Sequence, residues 1–329
     1  MEILVLGGTG FVGRHIVAAA LAAGHRVTLF NRGTDRRLFP EAERRVGDRD
    51  GGLDALATGA WDVAIDVTGY VPRLVGASAR LLSERVAHYV FVSTISVYAE
   101  NACTTIAEDA TLLELDDPSA EVVDGNSYGG LKVACEREVE RIYGERALVI
   151  RPGVVVGPFD PTDRFTYWMR RMADGGEVLG PEGPDTATQW IDGRDLASWT
   201  VRAAEHSRSG PYNLVVPPGS VTFGAMLGAA ARSSGSDGAV TWVDGEFLLA
   251  QGVRPFVDLP LWLHDPRASG LLRVDPTRAL ADGLRVTPLE TTVRDTLEWD
   301  AQRSDATLGA GMSREREREL LDAWHARTV

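Results

Sequence analysis

The sequence predicts an α/β fold, a doubly wound parallel sheet with helices on both faces and a smaller, discontinuous C-terminal domain. Through the first half of the chain, apolar strands alternate with helical stretches, which is typical of a parallel sheet. The first strand, Ile3 to Leu6, is an unbroken apolar run, as expected of a strand buried on both faces. A cluster of glycines joins it to an Ala-rich helix, Phe11 to Ala23. The 329 residues allow about two domains.

The glycine turn after the first strand predicts a dinucleotide site. Gly8, Gly10 and Gly13 satisfy the G-x-G-x-x-G spacing, and Gly7 lies three residues before Gly10. Such a strand-to-helix turn lets a pyrophosphate lie against backbone N–H groups at a helix N-terminus. A second apolar strand, Val27 to Phe30, completes the βαβ start. The residues expected to line the dinucleotide here are Gly7, Thr9, Gly10, Phe11, Val12 and Gly13.

The end of the second strand bears on the choice between NAD and NADP. An acid at this point would hold the ribose 2′-OH of NAD, whereas an arginine accommodates the 2′-phosphate of NADP. The chain has Asn31 and Arg32 here, followed by Arg36 and Arg37, and no acid. These arginines also fit a solvated loop. We therefore expect NADP or NAD, with NADP slightly favoured.

Three further strands follow. They are predicted at Arg45 to Asp48, Trp61 to Tyr70 and His88 to Tyr98, with a helix over Pro72 to Arg85 after the fourth strand. Polar or small residues stand at the carboxyl ends of the fourth and fifth strands, where ligands bind in such sheets: Thr68, Gly69, Ser93, Thr94 and Ser96. Hydroxyl residues at strand ends also form ordinary turns.

Tyr128 and Lys132 are four residues apart, so on a helix their side chains are neighbours. A free tyrosine has a pKa of about 10 and is a poor acid or base at neutral pH. An adjacent ammonium and the charge of an oxidised nicotinamide would stabilise the phenolate and bring the pKa towards the working pH. Tyr128 is therefore the predicted proton donor or acceptor.

With these motifs in place, the chain resembles the short-chain dehydrogenase/reductase superfamily, specifically its extended branch of NAD-dependent epimerase/dehydratase-like proteins. The resemblance covers nearly the whole chain, with the motifs in the family's order. They are the Gly7-x-x-Gly10-x-x-Gly13 turn, Ser93-Thr94-x-x-Val97-Tyr98, Tyr128-x-x-x-Lys132, the segment 151–158, the segment 191–197 and the closing segment 287–299.

The resemblance implies a Rossmann domain and roles for individual residues. Tyr128 would be the general acid/base, Lys132 would hold the nicotinamide ribose and lower the pKa of the tyrosine, and Thr94 would hydrogen-bond the reacting carbonyl. Further cofactor contacts would come from Asp48 at the adenine edge, Thr68 and Gly69, and the 151–153 segment with Pro152. The family often dimerises through two helices, which here are 72–85 and 127–143, so a homodimer is expected.

Two departures from the family's pattern limit the activity. The 4,6-dehydratases of the branch carry an acid pair directly after the threonine of the fifth strand, where this chain has Ile95 and Ser96. Because elimination of water needs a dedicated acid and base, dehydratase chemistry is not expected. The Ile-His-Val-Asp-Asp segment of the branch reads Ile-Asp-Gly-Arg-Asp at 191–195, which leaves the usual substrate-domain contacts in doubt.

From Gly157 on, Gly, Pro and Trp become frequent, and the family builds its substrate lid from this half. We expect residues 1–156, with 190–216 returning, to form the dinucleotide domain, and 157–189 with 217–329 the substrate domain. Arg164, Tyr167 and Trp168 could bind an anionic or sugar-like substrate, or could be a helix packing aromatics inward with arginines in water. The candidate substrate contacts are Ser96, Arg164 and Trp168.

Composition excludes several classes of protein. There are 34 basic and 47 acidic residues, a net charge of −13, which opposes nucleic-acid and anionic membrane binding. The two cysteines, Cys103 and Cys135, lack metal-ligand spacing and are expected to be reduced, buried thiols. No metal site is expected. Because no basic leader or long apolar span is evident, a cytoplasmic protein is predicted.

The predicted function is an NAD(P)-dependent oxidoreductase or epimerase that transfers hydride at a secondary alcohol or ketone of a small-molecule substrate. Sugar-like and nucleotide-linked compounds are among the candidate substrates. The absence of an acid beside Arg32 slightly favours a reductase over an epimerase with tightly bound NAD. A third alternative is a non-catalytic dinucleotide-binding regulator or RNA-binding protein. An intact set of Tyr128, Lys132 and Thr94 speaks against the regulator, and the charge speaks against RNA.

Overall fold

The computed structural model describes residues 1–35, 37–99, 105–115, 117, 119–265, 269–305 and 307–328. The strands are β1 (Glu2–Leu6), β2 (Arg26–Asn31), β3 (Glu43–Val46), β4 (Trp61–Asp66), β5 (Val86–Val92), β6 (Ala147–Pro152), β7 (Val154–Val156), β8 (Glu177–Pro181), β9 (Trp190–Asp192), β10 (Gly210–Leu214) and β11 (Ala239–Val243). The helices are α1 (Phe11–Ala22), α2 (Pro72–Leu82), α3 (Tyr128–Tyr143), α4 (Arg164–Ala173), α5 (Gly193–Glu205), α6 (Phe223–Ser234), α7 (Gly245–Ala250), α8 (Thr277–Ala281), α9 (Leu289–Asp300) and α10 (Arg314–His325).

The central sheet has seven parallel strands in the order β10-β6-β5-β4-β1-β2-β3. The chain runs outward from β1 to β3 and then returns to place β4 on the other side of β1. In an open parallel sheet, this reversal opens a crevice at the carboxyl ends of the strands, where ligands bind. The predicted fold class is thus confirmed.

Both faces of the sheet are covered because alternate residues of each strand point to opposite sides. In β1, Ile3 and Val5 join the core beneath α1 and α5, whereas Leu4 and Leu6 join the core beneath α2 and α3. All four side chains are almost completely buried. Successive side chains of this apolar run therefore lie alternately in the two cores, as predicted for a strand that is buried on both faces.

A C-terminal lobe, formed by α4, α6, α7, α9, α10 and the β8–β11 pair, has its own core. Its largest fully buried side chains include Trp168, Phe223 and Trp262. The parallel β7–β9 pair and α5, which packs on α1, connect this lobe to the sheet. The domain boundaries given above stay a prediction.

Two predicted strands differ from the observed ones. The fifth strand ends at Val92, not Tyr98, because the Thr94 hydroxyl accepts a hydrogen bond from the Ser96 N–H and starts a 3-10 turn over Ile95–Val97. The third strand, predicted at 45–48, lies two residues earlier. It ends before Gly47, where the chain passes so close to the Gly52 carbonyl that a Cβ would lie 2.4 Å from its oxygen.

Within the described ranges, no cluster of three or more His, Cys, Asp or Glu could hold a metal ion, and no helix is long and apolar enough to span a bilayer. Cys135 is a buried free thiol, and burial raises its pKa to about 12. Cys103 and Arg36 lie outside the described residues.

Candidate functional site

The glycine turn forms an open cradle at the N-terminus of α1. Gly7 and Gly8 have φ of +111° and +91°, a region that suits glycine alone, and a Cβ at Gly13 would lie 2.7 Å from the Gly8 nitrogen. By contrast, a Cβ at Gly10 would meet no described atom within 4 Å, and no side chain caps the helix there. The unpaired N–H groups at the start of α1 are therefore free for an anion, so the turn fits a pyrophosphate.

At the end of β2, Asn31 is held by hydrogen bonds, whereas the next side chain, Arg32, is exposed. The Asn31 amide donates to the Gly7 carbonyl (3.3 Å) and accepts from the Gly33 N–H (2.9 Å), so it fixes the glycine turn against its own loop. Arg32 is exposed and makes no ion pair with a described residue. Asp48, the predicted adenine contact, is also exposed, and its carboxylate accepts from the Asp50 N–H.

Tyr128 is the first residue of α3, and its phenol lies near the Thr94 hydroxyl beyond the end of β5, close enough for that hydroxyl to lower the pKa of the phenol. The Thr94 hydroxyl itself donates to the Ser96 hydroxyl at 3.2 Å. Gly129 permits this approach, because a Cβ there would lie 2.2 Å from the Ser96 carbonyl oxygen. Burial raises the pKa of Tyr128, an effect that outweighs the opposing effects of the Thr94 hydroxyl and the charge of Arg164. Desolvation of the phenolate therefore dominates in the protein without its cofactor. The expected lowering of this pKa by Lys132 together with an oxidised nicotinamide stays a prediction.

Lys132 is almost completely buried, and its ammonium donates to the carbonyls of Gly69 and Val92, both at 2.7 Å. Its Nζ also lies 4.3 Å from the centroid of the Phe91 ring. An ammonium has three donors, so one N–H remains beyond these two carbonyls. Burial lowers the pKa of Lys132 to about 8. The lysine thus sits at the carboxyl end of the sheet with a donor to spare, the position that a ribose hydroxyl requires.

A buried network that the sequence analysis missed supports the Thr68–Gly69 loop. The Asp66 carboxylate accepts from the Thr68 N–H (3.1 Å) and forms an ion pair with Arg49. Gly69 packs against Phe91, where a Cβ would lie 2.4 Å from the ring. Since the Gly69 carbonyl accepts a hydrogen bond from Lys132, this loop helps to fix the position of the ammonium. The sequence signal for this network was Asp66, an acidic residue at the end of an apolar strand.

Arg151 has a structural role behind the site. It lies in β6 and is 2% exposed, where it forms a two-point ion pair with Glu136 of α3, with bonds of 2.7 and 3.2 Å. Its remaining nitrogen donates to the Tyr98 hydroxyl and to the Glu108 carbonyl. Of the 151–153 segment that was predicted to lie near the nicotinamide, Pro152 and Gly153 line the cavity described next, whereas Arg151 does not.

A cavity of about 640 Å³, here called the active-site cavity, runs from the start of α1 to the C-terminal lobe. It brings together sequence-predicted residues from both halves of the chain: Phe11, Val12, Thr94, Ser96, Tyr128, Lys132, Pro152 and Arg164. The volume is in the range of small-molecule and cofactor sites. The start of α1, the tyrosine–threonine pair and the C-terminal lobe thus border one continuous space.

Comparison with known proteins agrees with this geometry. Residues 3–51 and 60–216, more than half of the chain, match the model of the NAD dependent epimerase/dehydratase family. The chain belongs to this family. It is therefore an NAD(P)-dependent enzyme, an oxidoreductase or an epimerase.

Members and relatives of the family differ in what their names describe. A 3-diazoavenalumate denitrifying reductase from Streptomyces is 28% identical over 228 residues, 64% of this chain and 74% of that protein. The chloroplast stem-loop binding protein of 41 kDa b from Arabidopsis thaliana is 24% identical over 253 residues, 71% of this chain and 63% of that protein. This chain thus spans under two thirds of the latter's length.

Solved structures share the fold. The Bordetella bronchiseptica enzyme WbmH in complex with NAD⁺ has a TM-score of 0.67 at 17% identity, with 92% of this chain and 99% of that chain covered. The human epimerase family protein SDR39U1 (isoform 2) with NADPH has a TM-score of 0.60 at 21% identity, with 91% and 99% covered. These family folds accommodate either dinucleotide.

Trp168, a candidate substrate contact, is not at the cavity. It is fully buried in the core of the C-terminal lobe, packs edge-on against Phe223 and donates from Nε1 to the Pro260 carbonyl at 2.6 Å. The prediction is corrected accordingly: the indole faces the lobe because α4 buries its aromatic side against α6. The alternative of inward-packed aromatics holds for Trp168 and for Tyr167, which is 5% exposed.

The cavity lining also includes residues outside the predicted set, among them Tyr70 and Asp160. Tyr70 is 46% exposed, with its ring centroid 6.4 Å from that of Tyr128. Asp160 is 1% exposed, and the Phe256 ring lies against Arg164 on the lobe side. Tyr70 directly follows the predicted Gly69, which was a usable signal. Nothing in the local sequence distinguishes Asp160, because the fold brings it to the cavity on a loop.

Proposed function

We propose that this enzyme is a reductase that uses NADPH to convert a ketone or aldehyde of a small molecule to an alcohol. The observation that carries the proposal is that Tyr128, Thr94 and Lys132 line one cavity, which extends from the first residues of α1 to the C-terminal lobe. When bound, the nicotinamide supplies the hydride. Tyr128 donates a proton to the substrate oxygen, and the Thr94 hydroxyl holds that oxygen. The spare N–H of Lys132 holds the ribose.

Tyr128 holds its proton at neutral pH, as an acid for carbonyl reduction must. Because burial raises this pKa above its ordinary value, the phenol is protonated at neutral pH. A protonated phenol is the acid that carbonyl reduction needs, whereas oxidation of an alcohol needs the phenolate. The Streptomyces relative is also named as a reductase.

The choice of NADP over NAD rests on Arg32. Its side chain is exposed at the end of β2 and makes no ion pair with a described residue, and β2 ends in Asn31 and not in an acid. An exposed guanidinium can accept the 2′-phosphate of NADP, and no carboxylate at that strand end favours the 2′-OH of NAD.

The experiment has two stages. The purified protein is denatured and any released dinucleotide is identified; NADPH and NADH are then supplied with ketones and aldehydes, and their oxidation is followed by absorbance. We expect an empty or exchangeable site, a preference for NADPH and turnover of carbonyl compounds. NAD that survives purification, with no net oxidation of NADPH, would identify an epimerase instead. Failure to bind either dinucleotide would overturn the proposal.

A matched pair of tyrosine variants assigns the proton donor. Tyr128→Phe should lower kcat by about a hundredfold or more, the usual scale for losing a general acid. Tyr143→Phe is the control, because Tyr143 lies on the same helix but donates to the Ala79 carbonyl outside the cavity. Equal activities of the two variants would contradict the role of Tyr128.

We also propose a homodimer that packs through α2 and α3. The outer side of these helices carries the ion pairs of Arg80 and Arg141 with Glu138, which could exchange partners across a two-fold axis. Light scattering at micromolar concentration tests this, and a monomeric mass would exclude it.

A further inference from the structure

The part of the active-site cavity beyond Tyr128 has an apolar wall. On the side of the C-terminal lobe the wall consists of Phe256, Leu261, Leu263 and Leu271, and Tyr70 lies on the sheet side. Such a wall binds an apolar or ring-shaped body by excluding water from both. It offers few partners to the hydroxyl groups of a sugar, which would lose their hydrogen bonds with water on entry.

Three described residues that line the cavity carry charge, and Arg164 is the cation among them that neither a hydrogen bond nor an ion pair to a described residue engages. The Lys132 ammonium is buried between two carbonyls. Asp160 is 1% exposed; its Oδ1 accepts from the N–H and hydroxyl of Thr162, its Oδ2 has no hydrogen-bond partner among the described residues, and burial raises its pKa, which favours the neutral acid. Arg164 is half-buried and makes no ion pair with any described residue; its guanidinium lies 5.0 Å from the centroid of the Phe256 ring.

The wall around Arg164 is held in a fixed shape. Phe256 and Leu261 have positive φ of 63° and 67°, as does Asp163 (55°) immediately before Arg164. Such conformations cost free energy in non-glycine residues and persist only where the surroundings enforce them. Here Trp168 holds the Pro260 carbonyl, and Arg303 forms an ion pair with Asp163. The loops that present Arg164 and the apolar wall are therefore preorganised.

We propose that the substrate is an apolar, ring-bearing carbonyl compound with a single carboxylate, which Arg164 binds while the ring lies against the wall of Phe256 and Leu261. The proposal deepens the reductase function and rests on it: the carbonyl oxygen lies at Tyr128 and Thr94, and the carboxylate lies towards the C-terminal lobe. A planar guanidinium takes a carboxylate through two parallel hydrogen bonds. A nucleotide sugar, with two phosphates, would need more cations than Arg164 supplies.

The charge of Arg164 is also coupled to the chemistry. Its guanidinium lowers the pKa of Tyr128, although less than burial raises it. A carboxylate bound to Arg164 would cancel this effect, and the phenol would hold its proton to higher pH. An acid substrate should therefore keep its kcat to higher pH than a neutral one, a difference that a purely structural role of Arg164 would not produce.

The test compares 4-acetylbenzoate with its methyl ester, which have the same ring and ketone but differ in charge. Binding to the enzyme saturated with NADP⁺ is measured by calorimetry, and reduction is measured with NADPH. We expect the acid to bind at least about tenfold more tightly, since a charged hydrogen-bonded pair contributes on that scale. Arg164→Gln should abolish the preference and Arg164→Lys should retain part of it. The control Arg232→Gln, which removes an exposed arginine outside the cavity, should leave the preference intact.

The outcomes separate this inference from the reductase proposal. If both compounds are reduced but the ester binds as well as the acid, the carboxylate site is wrong and the reductase stands. If the acid binds in an Arg164-dependent way and neither compound is reduced, the binding site stands and the reductase falls. Tighter binding of UDP-glucose than of the acid, or no binding of the acid at millimolar concentration, overturns the inference.

Discussion

Gly129→Ala should impair catalysis by displacing Tyr128, although alanine is the better helix former. A Cβ at Gly129 would lie 2.2 Å from the Ser96 carbonyl oxygen, whereas a comfortable carbon–oxygen contact is about 3.3 Å. The start of α3 must therefore move by about 1 Å relative to the 3-10 turn that carries Thr94. Tyr128 precedes Gly129, and its phenol lies near the Thr94 hydroxyl across this gap. A misplacement of this size costs about a hundredfold in rate.

Gly130→Ala is the matched control. It makes the same chemical change one residue later, but its Cβ would lie 3.0 Å from a methyl of Leu115, a side chain that can move. Both variants gain about 1 kcal/mol of helix propensity. We therefore expect Gly130→Ala to keep kcat within a few fold and to be at least as stable as the wild type.

The assay measures kcat and KM for any ketone that the wild type reduces, together with NADPH affinity by fluorescence and the free energy of unfolding in urea. Gly129→Ala should lose kcat by about a hundredfold while NADPH binding changes little, because Gly129 is not part of the glycine turn before α1. Wild-type kcat in Gly129→Ala, or equal losses in both variants, would refute the argument that this contact positions Tyr128.

Three further predictions concern other parts of the protein. Glu136→Gln leaves Arg151 buried without its counter-ion and should cost about 3 kcal/mol in urea unfolding, whereas Glu138→Gln on the exposed side of α3 should cost under about 1 kcal/mol; equal costs would contradict this. Because the pKa of Lys132 falls from 10.5 to about 8 on folding, the unfolded chain binds more protons between these values. The free energy of unfolding should thus gain up to about 3 kcal/mol from pH 8 to 10.5, and Lys132→Met should lack that gain. Arg32→Glu should weaken NADPH binding about tenfold or more and spare NADH, and an unchanged ratio of the two affinities would show that Arg32 does not meet the 2′-phosphate.

The parts of the fold that follow local rules could be predicted from the sequence. The apolar run at 3–6 and the glycine turn after it each impose their structure within a few residues, because strand burial and positive φ are local requirements. The spacing of Tyr128 and Lys132 places them on one helical face whatever the rest of the chain does. The fifth strand was too long because a single side chain, Thr94, ends it by bonding the next turn.

The properties that could not be predicted from the sequence depend on contacts between distant segments. Trp168 is a core residue because α6 and the Pro260 loop cover it, and neither is adjacent in sequence. The pKa of Tyr128 is raised because loops from both halves of the chain bury it, whereas the sequence shows only the lysine four residues away. Tyr70 and Phe256 reach one cavity from positions 186 residues apart. The spacing of Tyr128 and Lys132 in the sequence identified the reacting groups, whereas their burial in the folded protein determines their pKa values.

The same burial acts in opposite directions on the two ionisable groups of the site. Desolvation disfavours the charged form of each, so it raises the pKa of Tyr128 and lowers that of Lys132 to about 8. In the protein alone, the lysine therefore loses its proton before the tyrosine does. A neutral lysine cannot stabilise a phenolate, so the site by itself favours a protonated phenol.

A polyanionic dinucleotide bound beside Lys132 would favour the charged form of the lysine. By linkage, binding of the dinucleotide above pH 8 should be accompanied by uptake of a proton. Proton uptake on NADP⁺ binding at pH 8.5, measured by calorimetry in buffers of different ionisation enthalpy and absent in Lys132→Met, would show that cofactor binding and lysine charge are coupled. Binding without proton uptake would show that the ammonium keeps its charge unaided.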